Sequence, residues 1–406
     1  MTMFELDVEQ SPSRSLEFIE KKGRGHPDSL ADALAEIISY CYANYCLENF
    51  GAVLHHYVDK LTLLGGEARA TPGSYAQVRK FRVVLNGRFS RSFSGQEIPV
   101  LEIAREAVRD YLPLTLPLVE DSHWEIVDNT NPSAGSSAKG WHWWAPRGLE
   151  DLPDLTLRRA NDTSLSIASA PRTPLEMAVL AAEQELFEGL CLAKEIGSDV
   201  KILASRRGRR LEVTACVPVL ASAIGSREDY DAIKARVQHV LDEIFRKVPN
   251  VDEFALYLNT RDDVAAGDLY LLGLGTALEH GDEGVVGRGN RSNGLISTEF
   301  PMSLDAPWGK NPVYFSGRVY DGCARAVSEE LWSQLGMPNS VYLASQNGRP
   351  LADPWQAVVR APIADDVVKE RALTVAEETF RRALSLDFQL ADTQRRHPHL
   401  PVVKTA

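Results

Sequence analysis

From position 28 the apolar residues Leu30, Leu34, Ile37, Ile38, Cys41 and Tyr45 recur every three or four positions. This run opens on Asp28-Ser29 and stops before Gly51, which predicts a capped amphipathic helix over 28–50. The same spacing returns at Ile98, Leu101, Ala104, Val108 and Tyr111, and again at Tyr230, Ile233, Val237, Val240, Leu241 and Ile244. Further helices are predicted over 174–190, 319–335 and 373–384. Between them lie apolar or alternating runs that read as strands over 52–64, 78–85, 124–127, 164–169, 254–258, 269–274 and 341–345. A hairpin is predicted over 199–217, turning at Arg207-Gly208-Arg209. Strand pairs alternating with single helices predict an α+β fold, three similar domains long, each a mixed or antiparallel sheet with helices on one face. Residues 129–147 break the pattern with Ser, Gly, Asn and Pro around Trp141, Trp143 and Trp144, a long loop with an apolar tip that either packs locally or closes as a lid.

Composition changes this picture mainly by exclusion. With 44% apolar and 25% charged residues in 406 positions, the chain can bury several cores and is not a disordered one. No apolar run approaches the roughly 18 residues of a membrane span, and the first residues lack a signal-peptide pattern, so a cytoplasmic protein without membrane contact is expected. Five scattered cysteines argue against a disulfide framework or a CxxC zinc site. A net charge of -12 opposes non-specific binding to nucleic acid and leaves room only for a local basic pocket.

Candidate chemistry sits in short polar segments beside the apolar elements: Gly25 to Asp28, Ala160 to Thr163, Ser198 to Lys201, Gly281 to Arg291 and Trp308 to Pro312. Singly each has a plain reading. Asp28 suits an N-cap, Asp199 and Lys201 share a strand face, and Gly309-Lys310-Asn311 lacks the Walker spacing. Together they supply the carboxylates Asp28, Asp162 and Asp282, the cations Lys201, Arg288, Arg291 and Lys310, the imidazole of His26 and flexible glycine backbone. That inventory suits a polyphosphate with divalent cations, a nucleoside triphosphate above all. His55 and His56 point to opposite faces of a regular strand and are read as strand residues, and His397 and His399 as parts of a polar tail.

The motifs Glu20 to Ser29, Phe50 to His56, Leu64 to Gly66, Ala160 to Ser164, Asp199 to Lys201, Gly281 to Arg291, Asn293 to Ile296, Pro301 to Ser303 and Gly309 to Pro312 occur in one order over most of the chain. In that order they resemble the archaeal-type S-adenosylmethionine synthetases (methionine adenosyltransferases). The resemblance implies three similar α+β domains with discontinuous boundaries, here 1–24 with 173–277, 25–125 with 278–317, and 126–172 with 318–406. It implies a homodimer with active sites between subunits, Mg2+ (two ions) with K+ as a further cation, and ATP and methionine as substrates. The implied reaction moves the adenosyl group of ATP to methionine sulfur and hydrolyses the released triphosphate to diphosphate and phosphate. By motif match His26 serves the C5′–O5′ bond, and Lys201, Arg288 and Lys310 complete the catalytic set. Glu20, Asp162, Asp199 and Arg291 match the triphosphate side, Asp28 and Asp162 the metal, and Asp282, Ala277 and Tyr314 the amino-acid side.

The chain departs from the family's pattern at Ala277, His280, Val285, Tyr314 and Phe315, at Ala168 to Pro171 and at Lys60, while the phosphate motifs are retained. Two alternatives to the synthetase reading follow: a homologue adenosylating a methionine analogue, and a nucleotide-binding homologue without catalysis.

Overall fold

The computed structural model describes residues 3–8, 16–131, 143–152, 157–263, 265–303, 305–363 and 365–402. The main helices are α1 (Pro27–Phe50), α2 (Val100–Thr115), α3 (Pro174–Glu185), α4 (Arg227–Phe245), α5 (Ser316–Leu335), α6 (Asp366–Ala383) and α7 (Leu386–Arg396). In chain order the strands of the three larger sheets are β1 (Glu5–Val8), β2 (Leu16–Lys22), β3 (Thr62–Leu64), β4 (Phe81–Leu85), β5 (Trp124–Asp128), β6 (Leu165–Ala170) and β7 (Lys201–Arg207). They continue with β8 (Arg210–Cys216), β9 (Glu253–Leu258), β10 (Gly284–Val285), β11 (Ile296–Ser297), β12 (Asn339–Ala344) and β13 (Gln356–Ala361).

Each sheet covers its own apolar cluster, which gives the expected α+β layering in triplicate. The first sheet runs β9-β8-β7-β2-β11 and packs on α3 and α4. The second runs β5-β4-β3-β10 against α1 and α2, and the third β1-β13-β12-β6 against α5 and α6. β1 pairs in parallel with β13 (Glu5 opposite Val358), so the chain's first described strand lies in the third sheet, whereas the sequence reading put all of 1–24 in the first unit. Likewise β11 pairs with β2 (Ile296 opposite Glu20), so the segment 278–317 feeds the first sheet as well as the second.

Several elements differ from the sequence reading for local reasons. The strand expected over 52–64 is two short ones, His56–Tyr57 and Thr62–Leu64, because Val58 donates to the Gly309 carbonyl and the chain turns there. The strand over 269–274 shrinks to Leu271–Leu272. The helix over 174–190 ends at Glu185 and passes into a π-helical turn, Leu186–Cys191. α6 begins at Asp366, where the Asp365 side chain accepts from the N–H groups of Val367 and Val368; its first turns are too exposed to show apolar periodicity. β1, β2, β13, the hairpin Glu67–Thr71 with Ser74–Arg79, and α7 lack a clear sequence signal.

α7 closes over α1 and α5 through buried charge. Glu36 of α1 meets Arg318 of α5 at 2.8 Å and accepts from the Thr393 hydroxyl at 2.7 Å. Asp392 holds Arg325 at 2.6 Å and Arg396 at 3.0 Å. Burial alone would raise the Asp392 carboxyl, but Arg396, Arg325 and Arg318 outweigh it and hold it well below the usual range. The other Glu36 oxygen accepts from the Gly309 N–H at 3.2 Å, so this network reaches the loop that carries Lys310. On the open face of the first sheet, Leu16, Phe18, Leu203 and Tyr257 stand exposed together, an unpartnered apolar surface.

Candidate active site

α1 starts the site. Pro27 presets the first turn, and His26 caps it: the imidazole Nδ1 accepts from the Asp28 N–H at 3.2 Å. A nitrogen that accepts carries no proton, so the neutral ring presents Nε2–H as a donor. Burial first, with Lys22 and Lys201 adding to it against Asp28 and Asp282, lowers the His26 pKa to about 4, and the ring is neutral at pH 7.

Asp28, buried in the first turn, takes Lys22 Nζ on one oxygen at 2.9 Å and the Val285 N–H on the other at 3.1 Å. Lys22 also donates to the Arg288 carbonyl at 2.6 Å, which ties β2, α1 and the glycine-rich loop together. One turn along α1, Asp32 accepts from the Gly287 N–H at 2.7 Å, and burial raises its carboxyl to about 7. The loop can approach this closely because a Cβ on Gly284 would lie 2.1 Å from the Pro27 carbonyl oxygen. The Arg288 side chain is exposed beside it. Arg291, expected on phosphate, instead donates to the Gly287 and Gly289 carbonyls and braces the loop from within.

Across from His26 lies Asp199, buried, accepting from the Ala277 N–H at 2.7 Å. Burial, with Asp282, Asp28 and Glu279 adding like charge, raises its carboxyl to about 7. Ala277 thus serves through its backbone, while Asp282 is exposed and accepts from the Glu283 N–H. Lys201 reaches Glu20 at 3.4 Å, both on the same side of the β2–β7 pair and partly open to solvent.

A second group stands apart. Lys310, buried, meets Asp305 at 2.5 Å and lies 5.8 Å from the Phe315 ring centre. Its ammonium opens on a cavity of about 510 Å³ with Asp162, Ser303, Asp59 and Phe315 in the walls, and none of His26, Asp28, Asp199 or Lys201 lines it. Tyr314 does not line it either: the residue is buried and its hydroxyl bonds His55 Nδ1, so Phe315 is the ring that faces the space. His55 stacks on Trp143 (5.5 Å, 9° between planes), and Trp144 packs on Tyr57, which seats these two tryptophans as packing residues; Trp141 falls outside the described residues. His56 is buried as well, bonded to Ser39 at 2.8 Å.

The predicted residues therefore form two clusters, and Asp28 and Asp162, expected to share a metal, belong to different ones. Among the described residues no three His, Cys, Asp or Glu side chains converge as a metal cage. Sequence reasoning passed over Lys22, Asp32, Asp305 and Glu279, the last of which is buried and accepts from the N–H groups of Gly273 and Leu274. Asp28 and Asp32 at i and i+4 were the available signal for Asp32.

The sequence profile of a family described as S-adenosylmethionine synthetase (AdoMet synthetase) matches residues 1–392. The S-adenosylmethionine synthase of Hyperthermus butylicus is 33% identical over 382 residues, covering 90% of this chain and 91% of that one. That of Archaeoglobus fulgidus is 34% identical over 348 residues, 84% of each chain. In fold, the chain is similar to an unusual S-adenosylmethionine synthetase from Campylobacter jejuni, with a TM-score of 0.56, 13% identity and 94% of each chain covered.

Proposed function

The chain belongs to the S-adenosylmethionine synthetase family, and from that premise we propose that it joins C5′ of ATP to the sulfur of methionine. The sulfur lone pair forms the S–C5′ bond as the C5′–O5′ bond breaks, and that electron pair leaves on the triphosphate, which is then hydrolysed to diphosphate and phosphate. Such a displacement needs no covalent enzyme intermediate, so alignment and stabilisation of the leaving polyanion supply the rate.

The observation that carries this reading is the state of His26: neutral, its Nδ1 occupied by the Asp28 N–H, its Nε2–H free to donate to O5′ as negative charge grows there. Lys201 and Arg288, exposed at the rim, suit the phosphate chain, and Asp282 suits the substrate ammonium. Lys310 and Asp162 occur in the separate cavity, which supports a homodimer in which one copy's cavity completes the other copy's His26 cluster; the exposed apolar sheet face supports the same assembly. The carboxylates fit a hard divalent cation, and since no three-residue cage occurs among the described residues such an ion would draw on phosphate oxygens as well. Mg2+ would be held by Asp28 of one copy and Asp162 of the other in the proposed homodimer, and would supply charge neutralisation.

Incubation with ATP, Mg2+ and methionine, followed by mass spectrometry, tests the reading. S-Adenosylmethionine with one diphosphate and one phosphate per turnover is expected. ATP hydrolysis without a sulfonium product sinks it.

A further inference from the structure

A cavity of about 760 Å³ lies between β2, α2, α3 and the end of α7, on the side of β2 opposite Lys22. Four cationic side chains line it, Lys21, Arg24, Arg395 and Arg396, with the imidazoles of His397 and His399, which burial keeps neutral, against one lining carboxylate, Glu183. In a chain of net charge -12 this is a concentrated reversal of sign.

Two of the cations are short of acceptors. Lys21 is 9% exposed, and its ammonium, with three protons to donate, makes one hydrogen bond among the described residues, to the Lys22 carbonyl at 3.3 Å. Burial lowers the Lys21 pKa, Arg24 lowers it further, and Glu183 only partly offsets them. Arg396 meets Asp392 at 3.0 Å and Asp321 at 3.6 Å through one nitrogen, while its buried Nη1 has no acceptor among the described residues. A buried donor without an acceptor costs free energy that an incoming anion recovers. The remaining lining side chains are mostly committed: Arg24 to Glu183 at 3.3 Å and to Gln184, and Arg395 to Asp392 at 3.1 Å.

We propose that this cavity binds a phosphate-bearing anion whose oxygens accept from Lys21 and Arg396. Phosphate is favoured over a carboxylate because the donors come from separate elements, β2 and the end of α7, and a tetrahedral group with three terminal oxygens offers each its own acceptor. The site shares no lining residue with the cavity that holds Lys310 and does not depend on the reaction proposed above.

The test is calorimetric titration of inorganic diphosphate into a protein carrying Lys201→Ala, Arg288→Ala and Lys310→Ala, which removes the three candidate cations of the active site. One equivalent binding with a Kd below about 1 mM is expected. Adding Lys21→Met, which keeps the apolar stem and removes only a buried charge, should weaken it about tenfold or more, and Arg396→Gln likewise. Absence of binding at about 10 mM diphosphate overturns the proposal. So does an affinity unchanged within about twofold in either variant shown to be folded by circular dichroism.

Discussion

At the scale of single residues, the site works by setting protonation states. His26 is neutral across the physiological range, so the pH–rate profile of kcat should show no imidazole limb between pH 5.5 and 8. His26→Ala, which removes the Nε2–H donor, should lower kcat by about 100-fold or more in the steady-state assay. Asp199 behaves in the opposite sense. Its carboxyl ionises near pH 4 when unfolded and at about 7 when folded, so the unfolded state gains charge first and stability falls as pH rises from about 4 to about 7, then levels off. Asp199→Asn keeps an oxygen for the Ala277 N–H and should be more stable than the parent at pH 8 by about 1–3 kcal/mol, with the gap closing towards pH 4. Urea midpoints at pH 8 and pH 4.5 check this; equal gaps at both would show that Asp199 is ionised throughout. His26 and Asp28 were legible because helix-start chemistry is local. Lys22 was not: in Lys21-Lys22 the two side chains take opposite faces of β2, and only the pairing of Lys22 with Lys201 shows which one meets Asp28. The same ambiguity exchanged Tyr314 for Phe315.

At the scale of elements, the loop that carries Lys310 is held from beneath. Glu36 fixes the Gly309 N–H, Val58 the Gly309 carbonyl, and the Arg396 guanidinium lies 4.8 Å from the Trp308 ring centre. Glu36→Ala leaves the buried Arg318 with the more distant Asp392, at 3.9 Å, and a loss of about 3 kcal/mol is expected, read as a lowered denaturant midpoint. Thr393→Val removes one hydroxyl donor and should cost about 1–2 kcal/mol by the same measurement. α1, α2 and α4 could be read from the sequence because apolar periodicity marks helices that cover a core. α7 could not, because beside Leu390 its buried face carries Gln389, Asp392 and Thr393, polar residues whose partners include Val319, Arg325 and Glu36 on other helices. The tail read as idle likewise packs, His397 and His399 against the Tyr111 ring.

For the whole molecule, the homodimer proposed above, with the site divided between its copies, predicts intersubunit complementation. His26→Asn and Lys310→Ala proteins should each be nearly inactive. Unfolded together in equal amounts and refolded, they should regain about one quarter of parental activity, because half the dimers are mixed and each mixed dimer holds one intact site. No recovery, with mixed dimers demonstrated by native mass spectrometry, would place both clusters in one subunit's site. Phe18→Asp on the exposed sheet face should shift the sedimentation coefficient towards that of a single chain.

The pairing of β1 with β13 has a consequence for how the protein is made. Glu5 leaves the ribosome long before Val358, its partner, has been synthesised. At ordinary elongation rates of about 5–20 residues per second, the interval is on the order of tens of seconds. Throughout it β1 has no sheet to join, and α1 lacks the helix that neutralises Glu36 against Arg318 and Thr393. All strands of the first and second sheets have been made by Ser297, so the third sheet, which holds both β1 and β13, closes last. Folding is completed after translation, and the nascent chain carries an open strand edge that a holding chaperone would have to shield.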